Sequence, residues 1–139
     1  MATIGTLQRM TAKTLSEIIL AEANAAEPSY AIIDVRDDDH MGGHIKTSQH
    51  VPSSTLDAFL PTLRRKLADK RTVVFHCALS QQRGPSAALR YLRDLEAAGA
   101  VPEGQKVYVL DRGFVGWAAE FGTDERLTEN FRKELWEGY

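Results

Sequence analysis

Cysteine is almost absent from this sequence, since Cys77 is the only one among 139 residues. A single thiol excludes a disulfide within the chain and a metal cluster held by several thiolates, and it is typical of a reducing compartment. No run of eighteen apolar residues occurs, and the amino terminus lacks the basic start and apolar stretch of a signal peptide. We therefore expect a protein of the cytoplasm, the nucleus or both, with no membrane partner.

An excess of either charge is also lacking. The chain has 17 Lys and Arg against 19 Asp and Glu, a formal net charge of -2, which gives no electrostatic basis for a nucleic-acid partner. With 43% hydrophobic and 26% charged residues, the composition is that of an ordinary globular protein. A chain of this length fits one domain, so we expect residues 1–139 to form a single domain, as a monomer or a weak dimer.

Short apolar runs alternate with stretches of helical spacing. The runs at 30–35, 72–75 and 106–110 are compact and nearly all apolar, which predicts strands buried on both faces. Helices are predicted from Thr14, with Glu17 completing a capping box, to about Asn24, and then over 52–67, 85–99 and 114–121. This alternation predicts an α/β fold with a parallel sheet and helices on both faces.

The segment after Thr123 has Leu127, Phe131 and Leu135 at helical spacing. Apolar residues at this spacing form one face of an amphipathic helix, so the pattern favours a last helix.

The segment from Cys77 to Arg83 follows the run 72–75 directly and leads into a helix that starts at Gly84-Pro85. Parallel α/β folds place their sites at the carboxyl ends of strands. Backbone N–H groups and the helix dipole there attract an anion, and the same field favours the thiolate of Cys77. The planar fork of Arg83 can hold two oxygens of a phosphate-like group. The pattern predicts nucleophilic attack by sulfur on a bound oxyanion.

A lone cysteine after a strand is usually only a small buried hydrophobe. The combination with Arg83 and the Gly-Pro helix start favours the catalytic interpretation. His76-Cys77-x-x-x-x-x-Arg83 resembles the active-site signature of the cell-division-cycle (M-phase inducer) phosphatases and the related eukaryotic arsenate reductases. The segments 32–36, 43–53 and 110–117 resemble further signatures of that family, and the likeness covers roughly residues 5–122. It implies a rhodanese-like fold, with a central, mostly parallel sheet flanked by helices.

The resemblance also implies roles for individual residues. Cys77 would be the nucleophile, Asp34 and Arg36 would support the wall of the site, and His76 would organise the loop and hold the thiolate. The oxyanion would be bound by Arg83 and by the backbone amides of Ala78, Leu79, Ser80, Gln81, Gln82 and Gly84. Ala78 and Gln82 depart from the mitotic phosphatases, which carry acidic residues there. A compact arsenate reductase or a small stand-alone phosphatase is therefore the closer likeness.

The expected function is that of a tyrosine or dual-specificity type phosphatase, a glutathione-dependent arsenate reductase, or both. The substrate would be a phosphate- or arsenate-type oxyanion, with a phosphoprotein as one form of it. No bound cofactor is expected, but arsenate reduction needs glutathione or glutaredoxin because no second cysteine can resolve the Cys77 adduct. One alternative is a thiosulfate sulfurtransferase with a Cys77 persulfide, although rhodaneses typically have one residue fewer in this loop. Another is a non-catalytic phosphate-binding module.

A proton donor for the leaving oxygen is harder to select. Asp37, Asp38 and Asp39 form one acidic run, but Asp111 is the preferred candidate because it follows the predicted strand 106–110 at the same sheet edge.

His40 and His44 have the spacing of a metal pair on a helix. Two glycines lie between them and oppose a helix, so no metal site is predicted.

Overall fold

The computed structural model describes residues 7–137, so the first six and last two residues of the expected domain lie outside the described part. Its strands are β1 (Gln8–Met10), β2 (Tyr30–Asp34), β3 (His44–Ile45), β4 (Gln49–His50), β5 (Thr72–His76), β6 (Lys106–Leu110) and β7 (Thr128–Glu129). Five of these form a parallel sheet in the order β1-β6-β5-β2-β4, and β3 and β7 form a small antiparallel pair. The predicted parallel sheet is confirmed.

Four helices cover the sheet: α1 (Ala12–Ala21), α2 (Leu56–Lys66), α3 (Arg83–Ala98) and α4 (Gly113–Phe121). Short 3-10 turns lie at Ser53–Thr55 and Lys133–Leu135. None of the helices in the described range 7–137 is long and apolar enough to cross a membrane. The strands β2, β5 and β6 and the helices α2, α3 and α4 lie within a few residues of their predicted positions.

Two hydrophobic cores lie on opposite faces of the sheet. In β2, Ile33 packs into the core that contains α2 and α3, whereas Ile32 packs into the core that contains α1 and α4. All five residues of β2 are buried, because both faces are covered. A nearly all-apolar strand is therefore the expected sequence for this position. Leu63 of α2 and Tyr91 of α3 are buried in the first core, and Trp117 of α4 is buried in the second.

The predicted N-cap of the first helix is wrong, whereas its end lies within a few residues of the predicted position. Thr11, not Thr14, is the N-cap: its hydroxyl accepts the Thr14 N–H at 3.1 Å, while Glu17 is exposed. The helix ends at Ala21, and the following Glu22 carboxylate accepts the N–H and the hydroxyl of Ser29, both at 2.7 Å. These two bonds turn the chain back toward β2, so helical bonding stops before Asn24.

The predicted last helix is also wrong. Residues 128–129 pair with β3, and the rest of the described tail consists of turns, loop and the 3-10 turn at Lys133–Leu135, so no α-helix forms there. Leu127 is buried while Leu135 is 44% exposed, so the two do not share a buried face. The indole N–H of Trp136 donates to the carbonyl of Gly42 at 2.8 Å, which fixes the tail against the loop after β2. Strand pairing and this anchor outweigh the helical spacing.

Candidate active site

The loop of residues 77–82 connects the end of β5 to the start of α3, as predicted. β5 lies between β2 and β6 in the sheet, so neighbouring strand ends surround the loop. The segment lines a shallow cavity of about 170 Å³, formed by Cys77, Ala78, Leu79, Gln81, Gln82 and Arg83. A cavity of about 290 Å³ between α4 and the tail contains none of the predicted site residues. The first cavity, here called the Cys77 cup, is therefore identified as the candidate site by the residues that line it and not by its volume.

The sulfur of Cys77 accepts two backbone hydrogen bonds. The N–H groups of Ser80 and Gly84 donate to Sγ at 3.2 and 3.3 Å. Gly84 is the second residue of α3, and the side chain of the N-cap residue Gln82 makes no capping bond among the described residues. The sulfur therefore accepts one of the free N–H groups of the first helical turn. N–H donors and a helix N-terminus both stabilise negative charge, which suits a thiolate.

The remaining backbone amides of the loop have no acceptor in the described part of the chain. The N–H groups of Ala78, Leu79, Gln81 and Gln82 make no hydrogen bond to any part of the chain between residues 7 and 137. The four residues all line the Cys77 cup, so their amides are available to an oxyanion. The amides of Ser80 and Gly84 are instead directed to the sulfur.

Ser80 is fully buried and holds the loop from inside. Its hydroxyl accepts the N–H of Cys77 at 3.4 Å, and its φ of 56° lies in the left-handed region. That region is unfavourable for a residue with a Cβ, so surrounding bonds must hold Ser80 there. One of them comes from Arg9 on the edge strand β1, whose Nη2 donates to the Ser80 carbonyl at 3.0 Å.

Arg9 is a site residue that the sequence analysis missed. It lies 71 positions from Ser80, and no motif connects the two. Its Nη1 also donates to Asp111 at 3.3 Å, and both side chains are roughly half exposed. Asp111 lines a different cavity, of about 190 Å³, together with Thr11 and Glu120. The structure therefore places the preferred proton donor in an ion pair beside the cup and not in its wall.

The guanidinium of Arg83 is held by the acidic run after β2. Its Nη1 and Nη2 donate to the two oxygens of Asp39 at 2.7 and 2.6 Å, and Nη1 also lies 3.4 Å from Asp37 Oδ2. The hydrogen bonds from Arg83 lower the pKa of Asp39 to about 2. Asp39 is therefore ionised at neutral pH and has no proton to donate.

Neither of the two other aspartates of the run provides a proton donor in the Cys77 cup. The hydroxyl of Ser53 donates to Asp37 at 2.6 Å, and this bond, more than any other contact, lowers the pKa of that carboxyl. Asp38 is exposed and is not part of the lining of the Cys77 cup. The acidic run thus supplies partners for Arg83 and does not supply an acid.

His76 contacts the loop through its backbone. Its Nδ1 lies 3.0 Å from the carbonyl oxygen of Cys77, and because that oxygen can only accept, Nδ1 carries the proton. The ring is fully buried, and burial lowers its pKa, so His76 is neutral. Its Nε2 has no hydrogen-bond partner among the described residues. His76 contacts the loop as expected, but it bonds the carbonyl and not the sulfur.

Asp34 and Arg36 form a fully buried ion pair behind the loop. Arg36 Nη2 donates to Asp34 Oδ2 at 2.7 Å and to the carbonyl of Gly43 at 2.9 Å, and its guanidinium stacks 4.4 Å from the Phe114 ring centre. Burial would by itself raise the pKa of Asp34, but nearby positive charge and the bonds from Arg36 lower it. The hydrogen bonds from Arg36 therefore compensate the buried charge of Asp34.

Three histidines stack beside this ion pair. The His40 ring lies 3.8 Å from the His50 ring and 6.1 Å from the His44 ring, between centres. His40 Nε2 faces Asp34 at 3.5 Å, and His44 Nε2 faces Glu129 at 3.1 Å. Across residues 7–137, no group of three His, Cys, Asp or Glu side chains has a geometry suited to a metal ion.

Comparisons with known proteins agree with this architecture. The model of the rhodanese-like domain matches residues 17–120. CDC25-like phosphatase YCH1 of Saccharomyces cerevisiae is 39% identical over 117 residues, which cover 77% of this chain and 78% of the yeast protein. Arsenate reductase 2.2 of Oryza sativa subsp. japonica is 42% identical over 92 residues, covering 66% and 71% of the two chains.

A solved structure gives the same result. The crystal structure of Saccharomyces cerevisiae Ygr203w, described as a homolog of single-domain rhodanese and Cdc25 phosphatase catalytic domain, superposes with a TM-score of 0.84 at 34% identity. The match covers 98% of this chain and 95% of the yeast chain. These matches agree with the sheet order and with the strand-loop-helix segment around Cys77. The chain belongs to the rhodanese-like domain family, and its relatives include proteins named Cdc25-like phosphatases and arsenate reductases.

Proposed function

We propose that this chain is a cysteine-dependent enzyme that acts on tetrahedral oxyanions, with phosphoester hydrolysis as its principal reaction. The observation that carries this proposal is the position of the Cys77 sulfur. The sulfur accepts hydrogen bonds from the N–H groups of Ser80 and Gly84, in a cup whose wall includes Arg83 and four amides that have no partner within residues 7–137. Such a cup stabilises a thiolate before substrate arrives and the equatorial oxygens of a phosphoryl group afterwards.

The reaction would have two displacement steps. The thiolate of Cys77 attacks phosphorus in line, the S–P bond forms, and the P–O bond to the leaving alcohol breaks. Water then attacks the phosphorus of the cysteinyl phosphate, the S–P bond breaks, and inorganic phosphate leaves with both protons of the water while the thiolate is restored. In both steps the added charge on the phosphoryl oxygens is met by the loop amides and by Arg83.

The leaving oxygen needs a proton, and the substrate is the source that fits this site. Asp37 and Asp39 are ionised and bound to Ser53 and Arg83, and Asp111 is paired with Arg9. A phosphate ester whose second pKa is about 6 carries a proton of its own in the monoanion. Transfer of that proton to the leaving oxygen balances the first step without a protein acid.

Arsenate reduction is the second candidate, favoured by the 42% identity to a protein named arsenate reductase. Arsenate would condense with Cys77, releasing water. The thiol of glutathione would then attack the Cys77 sulfur, so that arsenic leaves with the bonding electrons as arsenite and a mixed disulfide forms. A second glutathione, or glutaredoxin, would release Cys77 from that disulfide. Both reductants come from outside because the chain has no second cysteine.

The first testable prediction concerns Cys77 itself. Wild type and Cys77→Ser are assayed with p-nitrophenyl phosphate, with arsenate plus glutathione and glutaredoxin, and with thiosulfate plus cyanide. We expect the wild type to turn over the phosphate ester, and Cys77→Ser to lower that rate by a factor on the order of 10³ or more, because a hydroxyl in place of the thiolate removes the nucleophile. Thermal unfolding of both proteins controls for folding.

The other outcomes of this assay are equally defined. A larger Cys77-dependent rate with arsenate would exchange the order of the two candidates. A Cys77 persulfide, seen by intact mass after thiosulfate treatment, together with no phosphate or arsenate turnover, would replace both by a sulfurtransferase. Oxyanion binding that survives in Cys77→Ser without turnover in either protein would leave only a binding module.

A further inference from the structure

Arg83 lies between the Cys77 cup and the acidic run after β2. It lines the cup, whereas neither Asp37 nor Asp39 does. Both aspartates nevertheless contact its guanidinium nitrogens. The carboxylates therefore contact Arg83 without lining the cup, so Asp39 does not take up the space in which an oxyanion would bind.

The contact with Asp39 uses one edge of the planar guanidinium. Nη1 and Nη2 each donate one hydrogen to one carboxylate oxygen, at 2.7 and 2.6 Å. The edge formed by Nε and the second hydrogen of Nη2 remains, and Nε of Arg83 has no partner within residues 7–137. A guanidinium binds oxyanions through such two-donor edges, so one edge stays available while the other is held.

The aspartates are themselves held in place. The N–H of Asp37 donates to Asp39 Oδ1 at 2.9 Å. The hydroxyl of Ser53 and the N–H of Ser54 donate to Asp37 at 2.6 and 3.0 Å. A chain of hydrogen bonds thus runs from the turn before α2 to the guanidinium, and the low pKa of Asp39, about 2, keeps its carboxylate charged throughout the neutral range.

Arginine is a long side chain that loses much rotamer freedom when it is fixed. Fixing Arg83 in the free protein means that the oxyanion meets a guanidinium that already has one orientation, and preorganised donors are most effective in the transition state. An arginine held only by the arriving substrate would have to be ordered during each turnover.

We propose that Asp39 is a positioning residue, which holds the Nη1–Nη2 edge of Arg83 so that its Nε–Nη2 edge is presented to the oxyanion in the Cys77 cup. This inference rests on the proposed function, since it assigns Arg83 to oxyanion binding. In the opposite role, Asp39 would compete with the substrate for the guanidinium of Arg83, and the substrate would have to displace it.

The test compares Asp39→Asn with Asp94→Asn. Asp94 forms a similar pair with Arg64, at 2.7 Å between α3 and α2, away from the cup, so it controls for the loss of an Asp–Arg pair. For Asp39→Asn we expect kcat for p-nitrophenyl phosphate to fall roughly tenfold or more, with a smaller change in KM, because small misplacements of a transition-state donor have large effects on rate. Inhibition by orthovanadate should weaken in parallel. Asp94→Asn should match wild type.

A second comparison separates positioning from a structural role. In an Arg83→Lys background, Asp39→Asn should have little further effect on kcat, because the group through which Asp39 acts is already altered. A full additional tenfold loss there, or wild-type kinetics in Asp39→Asn, would overturn the proposal. Tighter vanadate inhibition with a lower KM in Asp39→Asn would establish the competitor role instead.

Failure of the two proposals can be distinguished. Absence of any Cys77-dependent turnover in the wild type would overturn the proposed function. Equilibrium binding of orthovanadate, followed by the shift in unfolding temperature, would then still test the positioning role, since Asp39→Asn should weaken that binding and Asp94→Asn should not. Equal binding by all three proteins would overturn it.

Discussion

At the scale of single residues, Ser80 is the most constrained position of the loop. Its N–H contacts the Cys77 sulfur, its hydroxyl accepts from the Cys77 N–H, and its carbonyl accepts from Arg9. Each of its polar groups therefore has a partner, while its φ of 56° is unfavourable for a residue with a side chain. The bond from Arg9 fixes the peptide plane after Ser80 and hence the direction of the loop.

Replacement of Arg9 tests this assignment. For Arg9→Gln we expect kcat/KM to fall about fivefold, the effect of losing roughly 1 kcal/mol from a hydrogen bond that holds the catalytic loop. The unfolding temperature should change little, because the Arg9–Asp111 pair is 44% and 48% exposed and such pairs contribute little to stability. Steady-state kinetics and thermal unfolding measure the two effects.

Arg126→Gln is the matched control for Arg9. Arg126 forms an exposed pair with Asp124 at 2.8 Å, outside the cup. Its kinetics should equal those of the wild type. Unchanged kcat/KM in Arg9→Gln, or the same loss in both variants, would contradict a role of Arg9 in the loop.

At the scale of elements, the start of α4 holds the loop through backbone hydrogen bonds. The N–H groups of Phe114 and Val115 donate to the carbonyls of Cys77 and Ala78 at 3.0 and 2.9 Å. Gly113 lets the helix approach this closely: a Cβ on it would lie 2.6 Å from the Cys77 oxygen and 2.5 Å from that of Ala78. The helix after β6 thus helps to set the shape of the loop after β5.

Substitution of Gly113 should therefore affect both stability and activity. Gly113 has a φ of 57° and Gly99 a φ of 62°, but a Cβ on Gly99 would meet no atom within 4 Å. Gly99→Ala should lower the free energy of unfolding by about 1 kcal/mol, from backbone strain alone, and leave kcat/KM unchanged. Gly113→Ala should lose at least about 2 kcal/mol more and most of its activity, because the carbonyls must move. Urea denaturation and kinetics check both values, and equal losses in the two variants would refute the packing argument.

At the scale of the whole molecule, uncharged and charged polar groups are buried together between β2, β5 and α4. Asp34, Arg36 and His76 are all fully buried there, and Phe114 stacks on Arg36. Burial lowers the pKa of His76, and desolvation also lowers that of His40. The folded protein therefore resists protonation of both rings.

The sign of the resulting pH dependence follows from proton binding. As pH falls below about 6.5, the ordinary value for histidine, the unfolded chain takes up protons that the folded protein does not, so the free energy of unfolding decreases. The contribution of these neutral rings to the free energy of unfolding is therefore fully present above that pH. Urea denaturation between pH 7.5 and 5 should show this decrease. For His76→Phe, the free energy of unfolding should depend less steeply on pH, even though it is lower than that of the wild type at every pH. Equal slopes would contradict the assignment to His76.

Much of the fold was predictable because its signals are local. The run from Tyr30 to Val35 reads as a two-sided strand, and it packs that way because α1 and α4 cover one face and α2 and α3 the other. The very short strands β1, β3, β4 and β7 were not predicted, since two or three residues carry no periodicity and are strands only through their partners. The helical spacing in the tail was outweighed by pairing with β3.

The sequence by itself determined the α/β architecture and the position of the Cys77–Arg83 loop, because apolar periodicity and a strand-loop-helix segment act over a few neighbouring residues. Only the tertiary structure decided what holds that loop. Arg83 meets Asp39 across 44 positions, Arg9 meets Ser80 across 71 and Trp136 meets Gly42 across 94. Such pairings depend on how separate elements pack, and a charged residue in a sequence has many possible partners until packing brings one of them within hydrogen-bond distance.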